Sequence, residues 1–318
     1  MMWSNLSRPI MVLAPMDDVT DVVFRDVVAR EGRPDVFFTE FTNCDALFSE
    51  GRQAHIRRLQ FTENHRPIVA QIWGPTPENY YKTARLLGEL GFDAVDINMG
   101  CPQRNIIKSG SCGALIQNHS LAQEIIAATK EGAGALPVSV KTRLGYDEIQ
   151  TEDWIGFLLN QNIAALTIHG RTVAEMSSVP AHWDEIQKAV ELRDAMGKST
   201  LVMGNGDIES LEQAHRYVER YGVDGVMIGR GIFKNLWLFN PDHQDTSVAY
   251  RIDVALSHAA AWEREWGQSR NFEILKKFLK IYIADFPGAA ALRATLMETH
   301  SIEALTEALE ASAKKVLY

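Results

Sequence analysis

The sequence predicts an α/β protein, a (β/α)8 barrel followed by a small C-terminal helical bundle. Three observations support this. Short apolar runs typical of β-strands recur along the chain, amphipathic helical patterns lie between them, and the strand pattern stops after about residue 240. Strands that alternate with helices favour a parallel sheet, and eight such units within roughly 230 residues are typical of a barrel. A doubly wound open sheet is the alternative, because periodicity separates the two poorly.

The predicted strands are residues 10–14, 36–39, 68–72, 94–97, 138–140, 164–168, 200–203 and 225–228. Between them, apolar residues recur at i, i+3 or i+4, and i+7, as in the set Tyr80, Ala84, Leu87; this spacing indicates helices with one buried face. Nearly every predicted strand ends at a polar residue or a glycine. In a barrel such residues form a ring at the C-terminal face, where active sites lie.

Residues 240–245, Asn-Pro-Asp-His-Gln-Asp, form a polar stretch with a proline and are predicted to be a linker. The sequence therefore divides into a barrel domain, residues 1–240, and a helical domain, residues 245–318. The net charge of −9 gives no general attraction for nucleic acid, so a polyanionic partner would need a local basic surface. The helical domain carries Lys276, Lys277 and Lys280 as a candidate basic cluster.

The three cysteines are too few for a disulfide framework, and their odd number favours a reducing cytoplasm. The N-terminal residues lack the layout of a signal peptide, and no apolar run approaches the roughly 18 residues of a membrane span. We therefore expect a cytoplasmic protein without a membrane segment, and a monomer.

Glycines follow the last two predicted strands, in Gly204-Asn205-Gly206-Asp207 and in Gly229-Arg230-Gly231. Barrels use glycine turns at this place, followed by a short helix, to bind a phosphate through backbone N–H groups. Arg230 can add a charge-assisted hydrogen bond. The alternative is a pair of tight turns without a ligand.

Polar residues at the ends of other predicted strands suit a phosphorylated cofactor lying across the barrel mouth. Gln71 can offer both a donor and an acceptor to a heterocycle edge. Lys141 can stabilise negative charge that develops on a reduced ring. His169 is a weaker candidate, raised by its position directly after a strand.

Cys101 stands between Gly100 and Pro102, directly after a predicted strand. A cysteine held in such a turn can act as a nucleophile, an acid or a metal ligand. A metal site is disfavoured, because Cys101 and Cys112 lack the spacing of a zinc ligand pair. We therefore expect no metal.

These motifs together resemble the tRNA-dihydrouridine synthases, FMN-dependent enzymes that reduce selected uridines in tRNA. The resemblance covers nearly the whole chain and rests on VLAPMDDVTD, AQIWG, DINMGCPQRNIIKSGSCGALI, VSVKTRLG, TIHGRT, MGNGDI and MIGRGIF. The Gly-Cys-Pro segment is the most specific, whereas related flavin barrels share the others in looser form. One departure is Cys112, a second thiol where many members carry other small or apolar residues.

The resemblance implies that FMN is bound and that NADPH reduces it. The implied cofactor-binding residues are Pro15, Met16, Asp17, Gln71, Lys141, His169, Asn205, Gly206, Asp207, Gly229 and Arg230. A hydride would reach C6 of the uracil, and Cys101 would be the general acid that protonates C5. Asn98 and Arg143 would bind the substrate, and the helical domain would bind tRNA rather than stabilise the barrel.

Two alternatives remain open from the sequence. One is a flavin oxidoreductase acting on a small pyrimidine, of the dihydroorotate dehydrogenase type, which would not need residues 245–318. The other is a non-catalytic RNA-binding protein with a vestigial cofactor site, against which the intact Cys101, Lys141 and glycine turns argue.

Overall fold

The computed structural model describes residues 2–316, and its strands form one parallel sheet. The strands are β1 (Ile10–Leu13), β2 (Phe37–Phe38), β3 (Thr42–Asn43), β4 (Ile68–Trp73), β5 (Ala94–Met99), β6 (Val138–Arg143), β7 (Ala165–His169), β8 (Leu201–Asn205) and β9 (Gly225–Ile228). Their order is β1-β9-β8-β7-β6-β5-β4-β2, with β3 paired to β4. A bridge between Val12 and Val36 joins the two ends. The eight strands of this order, with β3 as a short addition beside β4, form the predicted barrel. The barrel is therefore confirmed, and the open sheet is excluded.

Helices surround the barrel and form the C-terminal part. They are α1 (Val22–Glu31), α2 (Arg52–Ile56), α3 (Pro77–Glu89), α4 (Arg104–Lys108), α5 (His119–Ala133), α6 (Gly156–Asn160), α7 (Trp183–Ala195), α8 (Leu211–Tyr221), α9 (Val248–Glu265), α10 (Leu279–Tyr282), α11 (Ala289–Met297) and α12 (Ile302–Val316). A short 3-10 helix, Arg230–Phe233, directly follows β9, as the phosphate-site pattern predicts. Within residues 2–316, no helix is both long and apolar enough to cross a membrane.

Five strands run further than their apolar runs indicate. β4, β5, β6, β7 and β8 continue to Trp73, Met99, Arg143, His169 and Asn205, so several predicted ring residues lie inside strands rather than after them. The reason is the two-residue period of a strand, which sends alternate side chains into the barrel. The lower interior is apolar and includes Ile10 and Val69. Above this apolar layer the inward-pointing side chains are polar and line the mouth. The apolar run therefore ends although the strand continues.

The C-terminal helices pack directly on the barrel. The ring of Phe278 lies 4.6 Å from that of Phe24 on α1, and one continuous set of buried residues spans both parts. Arg270 donates to the buried carboxylate of Asp21 at 2.6 Å, and the indole of Trp266 donates to the same carboxylate at 3.1 Å. The expectation that this segment does not stabilise the barrel is therefore wrong, because its apolar and ionic contacts form part of the shared core.

Candidate active site

A cavity of about 880 Å³ opens at the C-terminal ends of the strands. Ten of the residues predicted for the site line it: Pro15, Met16, Lys141, Arg143, His169, Asn205, Gly206, Asp207, Gly229 and Arg230. Its size lies within the range of sites for cofactors and small molecules. The remaining four predicted residues, Asp17, Gln71, Asn98 and Cys101, are not among its lining residues.

The loops after β8 and β9 form one side of the cavity. Gly206 has φ +132°, and a Cβ atom there would lie 2.7 Å from that of Ala181, so the turn requires glycine. Arg230 is loosely held, since its side chain is 69% exposed and its nearest carboxylate, Asp207, is 3.7 Å away. The exposed guanidinium of Arg230 is therefore available to an anionic ligand on this side of the cavity.

Asp207 lines the cavity and also has partners within the protein. Its carboxylate makes an ion pair with the buried Arg171 and accepts the N–H of Ala181 at 2.9 Å. Hydrogen bonds from Arg171 and Ala181 hold its pKa below the ordinary value, although burial opposes them. Asp207 therefore holds Arg171 in place, and its contact with the phosphate end of the cofactor stays a prediction.

His169 is neutral, and its tautomer follows from its neighbour. The guanidinium of Arg171 lies 3.1 Å from Nε2 of His169 and has only donors, so Nε2 accepts and the ring proton is on Nδ1. Burial lowers the pKa of His169 far below its ordinary value, and the charges of Lys141, Arg143 and Arg171 lower it further. His169 can therefore donate one hydrogen bond, but it carries no charge.

Lys141 stands at the centre of the site. Its Nζ donates to Oδ1 of Asn205 at 3.1 Å, while Nδ2 of Asn205 donates to the carbonyl of Met227 at 2.7 Å. Burial lowers its pKa to about 8, the charge of Arg143 adds to this, and Asp96 opposes it. Burial likewise lowers the pKa of Arg143 to about 10, with Arg171 and Arg230 contributing. The cavity is thus crowded with cations, and a bound anion would relieve that crowding.

The segment that carries Cys101 is held from both sides. Oδ1 of Asn98 accepts the N–H groups of Gly100 and Cys101, each at 3.0 Å. Nε of Arg143 donates to the carbonyl of Gly100 at 2.8 Å. Asn98 and Arg143, predicted as substrate ligands, therefore also fix this turn. Pro102 lines the cavity, so the segment lies at its edge.

The thiol of Cys101 is only partly exposed. Burial raises its pKa above the ordinary value, although the N–H of Gln103 and the charge of Arg143 oppose this. The thiol is therefore protonated near neutral pH, which suits a proton donor better than a nucleophile. Cys44 and Cys112 are fully buried, and burial raises the pKa of each thiol strongly, as expected for packing residues.

Gln71 and Asp17 lie away from the cavity surface. Gln71 is fully buried, donating Nε2 to Asp96 at 2.8 Å and accepting from Asn98 at 3.0 Å. Asp17 makes an ion pair with Arg58, within a group of charges that joins the barrel to the helical segment. The carboxylate of Asp17 thus has a partner outside the cavity, and the contact of this residue with the cofactor stays a prediction.

Three carboxylates of this network, Asp17, Asp18 and Glu40, have oxygens within 4.8 Å of one another. Arg270 lies 3.0 Å from both Asp18 and Glu40. Arginine charges therefore balance this group already.

Some residues of the site were missed or misjudged from the sequence. Arg171 directly follows His169-Gly170, and its position in that motif could have identified it. Lys280 of α10 lines the cavity, stacked 4.5 Å above the ring of Phe233, which only the tertiary structure shows. Lys276 is not available to RNA, because it is buried and bonded to Glu273 and to the carbonyl of Met297. Lys277 and Lys280 remain exposed.

A family model described as dihydrouridine synthase matches residues 12–317. The chain belongs to the dihydrouridine synthase family. Dihydrouridine formation is a reduction, so this enzyme is an oxidoreductase, and the family and enzyme class expected from the motifs are confirmed.

Relatives and solved structures agree with this assignment. The chain is 46% identical over 303 residues to a probable tRNA-dihydrouridine synthase of Staphylococcus aureus (strain MRSA252), covering 94% of this chain and 92% of that protein. It is 46% identical over 318 residues to probable tRNA-dihydrouridine synthase 2 of Bacillus subtilis (strain 168), covering 99% and 97%.

Two solved structures share the fold. Morphinone reductase matches with a TM-score of 0.51 at 13% identity, covering 75% of this chain and 87% of that one. Histamine dehydrogenase from Rhizobium sp. 4-9 matches with a TM-score of 0.55 at 13% identity, covering 79% and 48%. These likenesses support the barrel fold alone.

Proposed function

We propose that this enzyme reduces selected uridines in tRNA to 5,6-dihydrouridine, with FMN as its bound cofactor, NADPH as reductant and Cys101 as general acid. The observation that carries the proposal is a cation-rich cavity at the barrel mouth with a protonated, rigidly held cysteine at its edge. The names of the relatives in Staphylococcus aureus and Bacillus subtilis support tRNA as the substrate.

The residues of the cavity fit FMN. Arg230 and the backbone at Gly206 and Gly229 suit its phosphate, because glycine turns and an exposed guanidinium meet there. Lys141 and His169 suit the polar edge of its ring. Bound and reduced FMN would supply hydride chemistry to C6 of the uracil.

The chain's own residues then have distinct roles. Cys101 holds the proton that C5 of the uracil requires, and its raised pKa keeps that proton on sulfur until it is needed. Lys141 offers a positive charge beside the ring that carries electrons. Asn98 has one Nδ2 hydrogen left for the uracil edge beyond its bond to Gln71.

The tRNA must present an unstacked base to reach this cavity. Unstacking costs a few kcal/mol, so uridines in loops are favoured. The helical domain brings Lys280 to the cavity edge, and Lys277 lies exposed on the preceding turn. These lysines suit tRNA phosphates near the entering base. A cytoplasmic, monomeric enzyme stays our prediction.

The test begins with the visible spectrum of the purified protein, where a bound flavin absorbs. Dihydrouridine should then be mapped in tRNA from cells with and without the gene, and loss at a defined position is expected. Single-turnover oxidation of the reduced enzyme by unmodified tRNA, with free uridine and orotate alongside, separates the substrates. A protein without flavin, unchanged dihydrouridine in those cells, or faster oxidation by orotate than by tRNA would contradict the proposal.

A further inference from the structure

Asp96 is a fully buried carboxylate inside the barrel, below the cavity. It lies on β5, in register with Gln71 on β4 and Ser139 on β6. Its Oδ1 accepts from the hydroxyl of Ser139 at 2.6 Å, and its Oδ2 accepts from Nε2 of Gln71 at 2.8 Å. Among residues 2–316 no cation forms an ion pair with it. Burying a charge without an ion pair lowers the stability of the fold, so a neutral residue here would make the fold more stable.

The carboxylate determines which way two neighbouring amides point. An ionised carboxylate can only accept hydrogen bonds, so Gln71 must turn its NH2 group toward Asp96. The oxygen of Gln71 then faces Asn98 and accepts from its Nδ2 at 3.0 Å. Asn98 consequently turns its own oxygen outward. The direction of each bond follows from the one before it.

We call this chain of hydrogen bonds, from Asp96 through Gln71 to Asn98, the relay. The groups at its far end also require the oxygen of Asn98 to point outward. The groups that meet Asn98 there are the N–H donors of Gly100 and Cys101, which need an oxygen. A reversed Asn98 would place its NH2 against both donors and leave each of them without this acceptor. Arg143 holds the carbonyl of Gly100 from the opposite side at 2.8 Å.

We propose that Asp96 is a positioning residue for Cys101. Through Gln71 and Asn98, its ionised carboxylate holds the Cys101 backbone where the thiol can deliver its proton. This inference rests on the proposed function, in which Cys101 is the general acid. Asp96 touches neither the substrate nor the reacting atoms, so its effect reaches the reaction only through the relay.

The relay should weaken in acid. Burial raises the pKa of Asp96 to about 6, opposed by the hydrogen bonds from Ser139 and Gln71 and by the charge of Lys141 on β6. Below that pH the carboxyl group gains an O–H donor and no longer requires an NH2 group from Gln71. The rate of proton delivery to the uracil should therefore fall as the pH decreases through about 6.

The first test is Asp96→Asn, which keeps the size of the side chain and removes its charge. We expect a 10- to 100-fold lower single-turnover rate of oxidation of the reduced enzyme by tRNA, because small displacements of a reacting group are this costly. Flavin content and oxidation of NADPH without tRNA should be retained, and the fall in rate near pH 6 should disappear.

The matched control is Ser139→Ala, which removes the other partner of Asp96 and leaves the relay in place. Its rate at pH 8 should stay close to that of the parent enzyme. Because the bond from Ser139 lowers the pKa of Asp96, the acid limb of the pH profile should move to higher pH.

Two results would overturn the role of Asp96 while the proposed function stands. One is an Asp96→Asn enzyme that reacts with tRNA at the parent rate with the acid limb intact. The other is a Ser139→Ala enzyme whose acid limb does not move. This second result decides the question even if the Asp96→Asn enzyme does not fold. A parent enzyme that holds no flavin or does not react with tRNA would instead refute the proposed function, and this inference with it.

Discussion

The two sides of the cavity use their polar groups in opposite ways. On the side of β8 and β9, Arg230 is largely exposed and 3.7 Å from its nearest carboxylate, beside the glycine turn at Gly206. On the side of β4 and β5, Gln71, Asn98 and the turn at Cys101 bond to one another inside the protein. One side keeps its hydrogen bonds for a ligand, and the other uses them to hold a reactive group in place.

This difference shows how one barrel mouth can serve both binding and chemistry. A phosphate can be held by any sufficient set of donors, so loosely placed cations serve well and adjust when it binds. A proton must be delivered from one position, so its donor needs a rigid support. Substitutions on the two sides should therefore separate into effects on affinity and effects on rate.

The largest effect is expected for Cys101→Ala. Because proton delivery by a positioned acid contributes about 10²–10⁴ in rate, reduction of tRNA should fall by that factor. Flavin binding and its reduction by NADPH should persist, since neither needs this thiol. Single-turnover oxidation of the reduced enzyme by tRNA lacking dihydrouridine measures the loss.

Cys44→Ala is the matched control for this prediction. Its thiol is fully buried away from the cavity, so the variant should keep most of its activity. Cys112→Ala should also remain active. If Cys112→Ala were inactive and Cys101→Ala active, the acid would be misassigned. The side of β4 and β5 would then not hold the proton donor in the way described.

A smaller effect is expected on the binding side, for Arg230→Ala. The substitution deletes a charge-assisted hydrogen bond worth about 1.5–3 kcal/mol, so FMN affinity should fall about tenfold or more. The rate of tRNA reduction at saturating FMN should change little. Fluorescence titration of the apoprotein with FMN measures the affinity.

Arg216→Ala provides the control, because Arg216 is similarly exposed on α8 and pairs with Glu212 on the same helix. It should bind FMN like the parent enzyme. An Arg230→Ala enzyme with unchanged FMN affinity would show that the phosphate lies elsewhere. The side of β8 and β9 would then not be the binding side of the cavity.

The smallest effect concerns the helical domain. Replacing Lys277 and Lys280 by glutamine should reduce the slope of log affinity for tRNA against log salt by about 0.7–0.9 for each lost phosphate contact. Oxidation of NADPH by the flavin should not change. The double variant Lys82→Gln/Lys188→Gln, on exposed barrel helices, should leave the slope as it is. An unaltered slope in the first pair would move the RNA surface to another face, such as that of Arg52 and Arg57.

Much of the architecture could be predicted from local sequence patterns. Apolar runs of strand length, helical faces between them and the Pro-containing stretch after Phe239 are properties of neighbouring residues, so the barrel and the helical domain followed from them. The glycine turns after β8 and β9 and the Gly-Cys-Pro turn were equally local. They marked Gly206, Arg230 and Cys101 correctly as residues at or beside one cavity.

What the sequence could not determine is which groups already satisfy one another across the barrel. Gln71 and Asp96 are 25 residues apart, and only the register of β4 and β5 brings them into hydrogen-bond distance. Arg58 pairs with Asp17 across 41 residues of sequence. Lys276, in the 3-10 helix Phe272–Phe278, is buried and donates to the carbonyl of Met297, whereas Lys280 on α10 is exposed. Residue types name the groups capable of chemistry, but long-range packing determines which of them remain free to perform it.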